Sequence, residues 1–290
     1  SELPGYLSMT LSYDVNTGKA APYSALTIVS TAAWGLGYFG MPHILLRFMA
    51  IEDEKKLKLS RRVATIWVVI SLFVAVFIGV IGYTMSKVGA LEMLTGSNSE
   101  TIIVKISALL SQHGVIFALL AGVILAGILA STMSTSDSQL LAASFAVSSD
   151  ILGAFRKDSS NKNGSMAAAR ITLLVISVVA AFIARNPDSS VFAIVSFAWA
   201  GFGAAFGPVV LFSLFWKRTN KWGALAGMVC GGSMVFIWKY LIRPLGGIWN
   251  IYELLPAFLI ACAAIVIVSL LTPKPSKEIE EEFDRVAQMK

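Results

Sequence analysis

Long apolar runs separated by short polar stretches dominate the pattern of this chain. Folded as a helix, about 20 apolar residues cross the roughly 30 Å hydrocarbon core of a bilayer. By this criterion the sequence predicts seven membrane spans, at residues 22–46, 63–83, 114–146, 167–184, 191–216, 223–242 and 252–271. A short surface helix is expected at 99–110, in the polar connection between the second and third spans. The pattern therefore predicts an all-α polytopic membrane protein.

The first apolar run is interrupted at its centre by residues that a helix interior disfavours. Gly35, Gly37, Gly40 and Pro42 all fall within the stretch WGLGYFGMP at 34–42. Each glycine costs a helix interior roughly 1 kcal/mol relative to alanine, and proline costs about 3 kcal/mol. Irregular backbone at membrane depth is tolerated where it is buried in protein or lines a wet cavity, and such interruptions point to transporter substrate sites. The alternatives are a simple kink, or glycines that let neighbouring helices approach closely.

A second polar stretch lies inside the third span. At 100° per residue, Ser131, Ser134, Thr135 and Ser138 fall within about 100° of one another on a single helix face. Their hydroxyls form a row of hard oxygen donors, which suits an alkali cation completed by donors from another helix. Asp137 lies beside this face and is a functional candidate, because an intramembrane carboxylate costs at least about 2.5 kcal/mol to insert. The alternatives are hydroxyls that join helices, and an Asp137 that is solvated near the cytoplasmic end.

Composition supports the membrane class and offers no sign of an enzyme. The 290 residues are 56% hydrophobic and only 14% charged, with a mean hydropathy of +0.74, whereas soluble domains carry about 25% charged residues. No Ser/His/Asp set, phosphate-binding glycine loop or Cys/His cluster is present. Cys230 and Cys262 fall in apolar segments, and His43 and His113 have no metal-ligand spacing.

The net charge of +6 is explained by membrane topology. When the seven predicted spans are drawn, 17 of the 23 Lys and Arg residues fall on one side. Because basic residues concentrate on the cytoplasmic side, residue 1 is predicted to lie outside and the C-terminus in the cytoplasm. The positive charge therefore requires no nucleic-acid partner.

Small residues recur at helical spacing in the fifth and sixth spans and indicate faces for close helix contact. They are Ala200, Gly203, Ala204 and Gly207 in the fifth span, and Gly223, Gly227 and Gly231 in the sixth.

With these residues in view, the chain resembles the C-terminal portion of the sodium/solute symporter family, above all its bacterial sodium/proline branch. The matching motifs are WGLGYFGMPHILLRFMA (34–50), ILASTMSTSDSQLL (128–141), FAWAGFGAAFGPVVLFSLFW (197–216) and GALAGM (223–228). The resemblance implies the inverted-repeat fold of the leucine transporter, which has two five-helix repeats. Residues 22–216 would form the second five-helix repeat and 217–271 two trailing transmembrane helices. Residues 1–21 would be an extracellular loop and 272–290 a cytoplasmic tail.

The resemblance also implies a function: secondary active, sodium-coupled uptake of L-proline across the plasma membrane. The first repeat is absent, so the N-terminal half of the same carrier is an expected partner, together with the lipid bilayer. Trp34, Tyr38 and Pro42 match family residues implicated in proline binding or its gating. The alternatives are symport of another amino acid or a small carboxylate, and a transporter-like membrane sensor.

The resemblance places the coupling sodium ion on the third span. Ser134 and Thr135 match hydroxyl ligands, and Ser131 stands where a backbone carbonyl contributes. Asp137 departs from the best-known proline carriers, which have an apolar residue there. Because related symporters place a second sodium near this turn, Asp137 and Ser138 are weaker candidates for a second ion site.

Overall fold

The structure is a computed structural model that describes residues 8, 10–14, 19–151, 162–185 and 190–288. Most of the polar connection after the third predicted span lies outside these ranges. Within them, two short strands are β1 (Leu11–Asp14) and β2 (Lys19–Pro22). The helices are α1 (Ala25–Ala32), α2 (Pro42–Met49), α3 (Leu57–Lys87), α4 (Ile102–Leu110), α5 (Val115–Phe145), α6 (Lys162–Ile183), α7 (Val191–Phe215), α8 (Lys221–Ile237), α9 (Leu254–Leu271) and α10 (Lys277–Gln288).

Six helices of the described chain, α3 and α5 to α9, are long and apolar enough to cross a membrane. They correspond to the second to seventh predicted spans, and α4 corresponds to the predicted surface helix. The prediction of an all-helical polytopic membrane protein is confirmed. The helix that begins as α8 continues through a π-helical turn at Trp238–Ile242. The division into an inverted repeat and trailing helices stays a prediction.

The first predicted span is not one helix but three helical pieces. After α1 the chain forms a 3-10 helix at Ala33–Gly40, Met41 is extended, and α2 then begins at Pro42. Pro42 occupies the first helical position, where its missing N–H is no loss. The Met41 carbonyl accepts hydrogen bonds from the backbone N–H groups of Ile44 and Leu45, each at 3.1 Å. The interruption predicted from the glycines and the proline is therefore confirmed.

Two segments that lie outside the predicted spans contain regular structure. The segment predicted as a loop at 1–21 includes β1, which pairs with β2 in antiparallel register from Leu11 opposite Pro22 to Asp14 opposite Lys19. Four-residue strands have too few positions to display a clear alternation of apolar and polar residues. The segment predicted as a charged tail at 272–290 includes α10.

The chain forms two compact units, one comprising the described residues up to Leu45 and from Val195 onward, the other Leu46–Ile194. In the first unit α8 packs along α9, and the predicted glycine face is the contact. A Cβ added at Gly227 would overlap the Ile265 side chain, and one added at Gly231 would overlap the Ala204 carbonyl. The small-residue faces predicted for the fifth and sixth spans therefore do serve close helix packing.

Candidate substrate and ion sites

An aromatic cluster surrounds the 3-10 segment of the first unit. The Trp34 ring is stacked on Trp199 of α7, with centroids 5.5 Å apart, and on Tyr252, with centroids 5.9 Å apart. Tyr38 meets the same Trp199 ring edge-on at 4.8 Å. Two of the predicted substrate residues, Trp34 and Tyr38, are thus brought together through Trp199.

Glycines permit this close approach between the 3-10 segment and α7. A Cβ at Gly37 would overlap the indole of Trp199, and a Cβ at Gly40 would overlap the Phe202 carbonyl. A Cβ at Gly203 would lie 2.7 Å from the Cα of Gly37, so the two backbones are in direct contact there. The close-contact interpretation of these glycines is therefore correct alongside the interruption, and the motif serves both.

Hydrogen bonds connect the same elements. The Trp199 indole Nε1–H donates to the Trp34 carbonyl at 3.0 Å. The Tyr252 backbone N–H donates to the Ser30 hydroxyl at 2.7 Å, and the Tyr252 hydroxyl donates to the Ser196 carbonyl at 2.6 Å. Residues just before α9 therefore bridge α1 and α7.

The predicted substrate residues differ in what they present to solvent. Trp34 is half-buried, and its ring packs on two other aromatic rings. Tyr38 is 51% exposed and the neighbouring Phe39 is 41% exposed. Pro42 is exposed at the start of α2. Tyr38 and Pro42 are thus accessible to a ligand, whereas much of Trp34 is used in packing.

The predicted ion stretch lies in the second unit, on the unbroken helix α5. The Thr135 hydroxyl donates to the Ser131 carbonyl at 3.2 Å, and the Ser138 hydroxyl donates to the Thr135 carbonyl at 2.8 Å. Ser134 and Asp137 are exposed. Because α5 is helical throughout this stretch, Ser131, Ser134, Thr135 and Ser138 do share one face. Their role as sodium ligands stays a prediction.

Sequence reasoning missed Trp199, Tyr252 and Ser30. Trp199 lies inside one of the motifs on which the family resemblance rests. Nothing in its local sequence predicts that its partner is Trp34, which is 165 residues away. Tyr252 was placed at the beginning of a trailing span. A tyrosine at the polar end of an apolar run is a weak signal, because such residues are usual at membrane interfaces.

Comparison with known proteins places the chain in a family. The model of the sodium:solute symporter family matches residues 8–231. The chain therefore belongs to the sodium:solute symporter family, a class of membrane transporters. No solved structure matches it.

Several curated relatives are similar over nearly the whole chain. The sodium/proline symporter of Haemophilus influenzae is 41% identical over 262 residues, which cover 90% of this chain and 51% of the relative. The osmoregulated proline transporter OpuE of Bacillus subtilis is 39% identical, covering 88% of this chain and 50% of the relative. The sodium/proline symporter of Salmonella typhimurium is 40% identical, covering 89% and 50%. The chain thus spans about half the length of these curated relatives.

Proposed function

We propose that this chain is the C-terminal half of a carrier that couples sodium entry to uptake of L-proline across the plasma membrane. The observation that carries the proposal is the broken helix, by which we mean α1 and α2 joined by the segment Ala33–Met41, in which Tyr38 is exposed. The chain that contains it is about 40% identical to symporters named for sodium and proline. The N-terminal half would be a partner within the same protein, since the relatives are about twice as long. "Full-length carrier" below means this chain together with that half.

In this proposal the broken helix forms one wall of the proline site. The pyrrolidine ring packs near Tyr38, and the carboxylate lies at the start of α2, where Pro42 begins the helix. A helix N-terminus favours negative charge through the positive end of the helix dipole. Trp34 packs on Trp199 and Tyr252 and so supports the segment that carries Tyr38.

The sodium ion is held by α5 in the same proposal. The Thr135 hydroxyl and the Ser131 carbonyl are oxygens only 3.2 Å apart on adjacent turns, and the Ser134 hydroxyl lies on the same face. The remaining oxygens come from the N-terminal half, because one helix cannot surround an ion. Asp137 and Ser138 are the weaker candidates for a second ion.

Sodium binding then favours the outward-open state, proline binds, and alternating access exposes both to the cytoplasm. No covalent chemistry is involved. We further propose that residue 1 lies outside and the C-terminus in the cytoplasm, which is supported by the 17 of 23 basic residues on one side of the predicted topology.

Uptake of radiolabelled proline into cells that express the full-length carrier tests this proposal. We expect uptake that requires an inward sodium gradient and is suppressed by excess unlabelled proline. Stronger suppression by another amino acid or a small carboxylate would reassign the substrate. Proline binding without uptake would favour the membrane sensor and overturn the proposal of transport.

A further inference from the structure

Trp34 is held from two directions by residues outside the broken helix. Trp199 belongs to α7, and Tyr252 lies two residues before α9. Both rings are nearly parallel to that of Trp34, each with an interplanar angle of 16°. Stacked aromatic pairs contribute about 0.5–1.5 kcal/mol beyond the area that they bury. The orientation of Trp34 is therefore determined by α7 and by the start of α9.

Tyr252 also ties together the two elements on either side of Trp34. Its backbone N–H binds Ser30, one turn before Trp34, and its hydroxyl binds the carbonyl of Ser196, one turn before Trp199. Neither α1 nor the beginning of α7 can shift relative to the other without breaking one of these hydrogen bonds. Tyr252 thus fixes the distance between α1 and α7 at the level of Trp34.

The 3-10 segment needs such external support. Hydrogen-bond geometry in a 3-10 helix is poorer than in an α-helix, and runs longer than three or four residues are uncommon. This segment has eight residues. The indole N–H of Trp199 donates to the Trp34 carbonyl inside it. Tyr38 follows one turn later, packs its ring against the edge of the same indole, and remains half exposed. The position of Trp199 is therefore transmitted directly to Tyr38.

The segment just before α9, which contains Tyr252, is itself held in place by side-chain contacts. The neighbouring Glu253 is 1% exposed, and its carboxylate accepts a hydrogen bond from Arg243 at 2.9 Å. The same guanidinium donates to the Asn250 side chain at 3.1 Å. Tyr252 is therefore a fixed point against which the broken helix is held.

We propose that Trp199 and Tyr252 are positioning residues that set proline affinity by holding Trp34 and Tyr38 in place. This inference rests on the proposed function, because it concerns the proline site of the same carrier. It assigns a share in substrate affinity to Tyr252, which lies in the segment expected to trail the second repeat. Trp199 and Tyr252 act through the broken helix and need not touch proline.

Two conservative substitutions in the full-length carrier test the inference. Trp199→Phe keeps an aromatic ring but removes the donor to the Trp34 carbonyl, and Tyr252→Phe removes only the hydroxyl that binds Ser196. The matched control is Trp238→Phe. Trp238 is also buried in the first unit, but within the described chain its indole nitrogen has no hydrogen-bond partner. Each variant is normalised to the amount of carrier in the membrane, and proline KM and Vmax are measured at saturating sodium.

We expect Trp199→Phe and Tyr252→Phe each to raise proline KM by about three- to tenfold, as the loss of one hydrogen bond predicts. Vmax per carrier should stay unchanged in both variants. The control variant Trp238→Phe should keep the proline KM of the unmodified carrier. A purely structural role would lower the amount of carrier and leave proline KM unaltered, which would overturn the inference. If Trp199→Phe does not reach the membrane, Tyr252→Phe alone decides. The unmodified carrier is assayed in parallel, so absent proline uptake there identifies failure of the proposed function instead.

Discussion

Arg243 and Glu253 form an ion pair 2.9 Å long in which the Glu253 side chain is only 2% exposed. Removing Arg243 would leave the enclosed Glu253 carboxylate without its cation; because the Arg243 side chain is itself 41% exposed, the cost should lie below the about 3–5 kcal/mol of a fully buried pair. We expect Arg243→Met to lower the thermal unfolding midpoint of the purified full-length carrier far more than the double variant with Glu253→Gln, which leaves no buried charge.

An exposed ion pair of the same chain is the control for this prediction. Lys56 and Glu52 lie 2.6 Å apart, with side chains 57% and 84% exposed. Exposed pairs contribute at most about 1 kcal/mol. Lys56→Gln should therefore leave the midpoint nearly unchanged. Equal losses for Lys56→Gln and Arg243→Met would contradict the structural role of the pair between Arg243 and Glu253.

Two adjacent glycines of α8 should respond oppositely to alanine. At Gly231 the added methyl group would overlap the Ala204 carbonyl, which is backbone and cannot turn away. At Gly232 it would lie 3.8 Å from the Ala205 Cβ, an ordinary contact. Gly231→Ala should destabilise the carrier by about 1–3 kcal/mol, whereas Gly232→Ala should be neutral or stabilise it by up to about 1 kcal/mol. Unfolding midpoints of the two variants decide, and similar values would contradict the packing of α8.

Much of this fold could be predicted from the sequence, because each membrane span is a continuous run of apolar residues. The ends of α5 and α7 lie within one residue of the predicted spans, and the break at Gly35–Pro42 follows from residues that a helix disfavours. The helix α10 was not predicted because it is not a long apolar run, although Ile279, Phe283 and Val286 follow the i, i+4, i+7 spacing of an amphipathic helix. The ion pair between Lys217 and Asp284, which are 2.6 Å apart, spans 67 residues and has no local signal.

The candidate site was predictable only in part. Trp34 and Tyr38 could be chosen from their motif, but their contacts with Trp199 and Tyr252 are long-range. The bond from Tyr252 to Ser30 joins residues 222 positions apart. No periodicity or spacing in one sequence encodes such a pairing, which depends on how glycine faces let helices approach.

Glu100 should make the start of α7 sensitive to acid. Its pKa is lowered, chiefly by the hydrogen bond from the Ser190 hydroxyl at 2.6 Å and further by the backbone N–H of Val191 at 3.0 Å. A carboxyl group with a lowered pKa stabilises the fold above its ordinary pKa, and this contribution is lost as the pH falls through the lowered value.

Hydrogen exchange at the start of α7 measures this effect. After correction for intrinsic rates, protection of the Val191 and Phe192 amides should be constant near neutral pH and fall below about pH 4.5, the ordinary value for a glutamate. Glu100→Gln should lower protection at neutral pH and remove the pH dependence, whereas Glu92→Gln in the same connection should not. An unchanged acid response in Glu100→Gln would refute the assignment.

Thr135 should determine sodium affinity if α5 holds the coupling ion. Thr135→Ala removes one hydroxyl oxygen and should raise the sodium concentration for half-maximal uptake by about tenfold, equivalent to about 1.4 kcal/mol, which is within the range for one polar contact. Thr135→Ser should restore most of the affinity. Thr132→Ala is the control, because Thr132 lies off the shared face and its hydroxyl donates to the Ile128 carbonyl at 2.9 Å. Unaltered sodium dependence in Thr135→Ala, with normal membrane insertion, would remove Thr135 from the site.

The coupling of sodium to proline is tested most directly by equilibrium binding of proline to the purified full-length carrier in sodium and in potassium buffer. If the two ligands share one conformational state, sodium raises proline affinity and proline raises sodium affinity by the same factor, because binding linkage is reciprocal. We predict this reciprocal increase, and its loss in Thr135→Ala. Equal proline affinity in sodium and potassium would contradict the proposed symport.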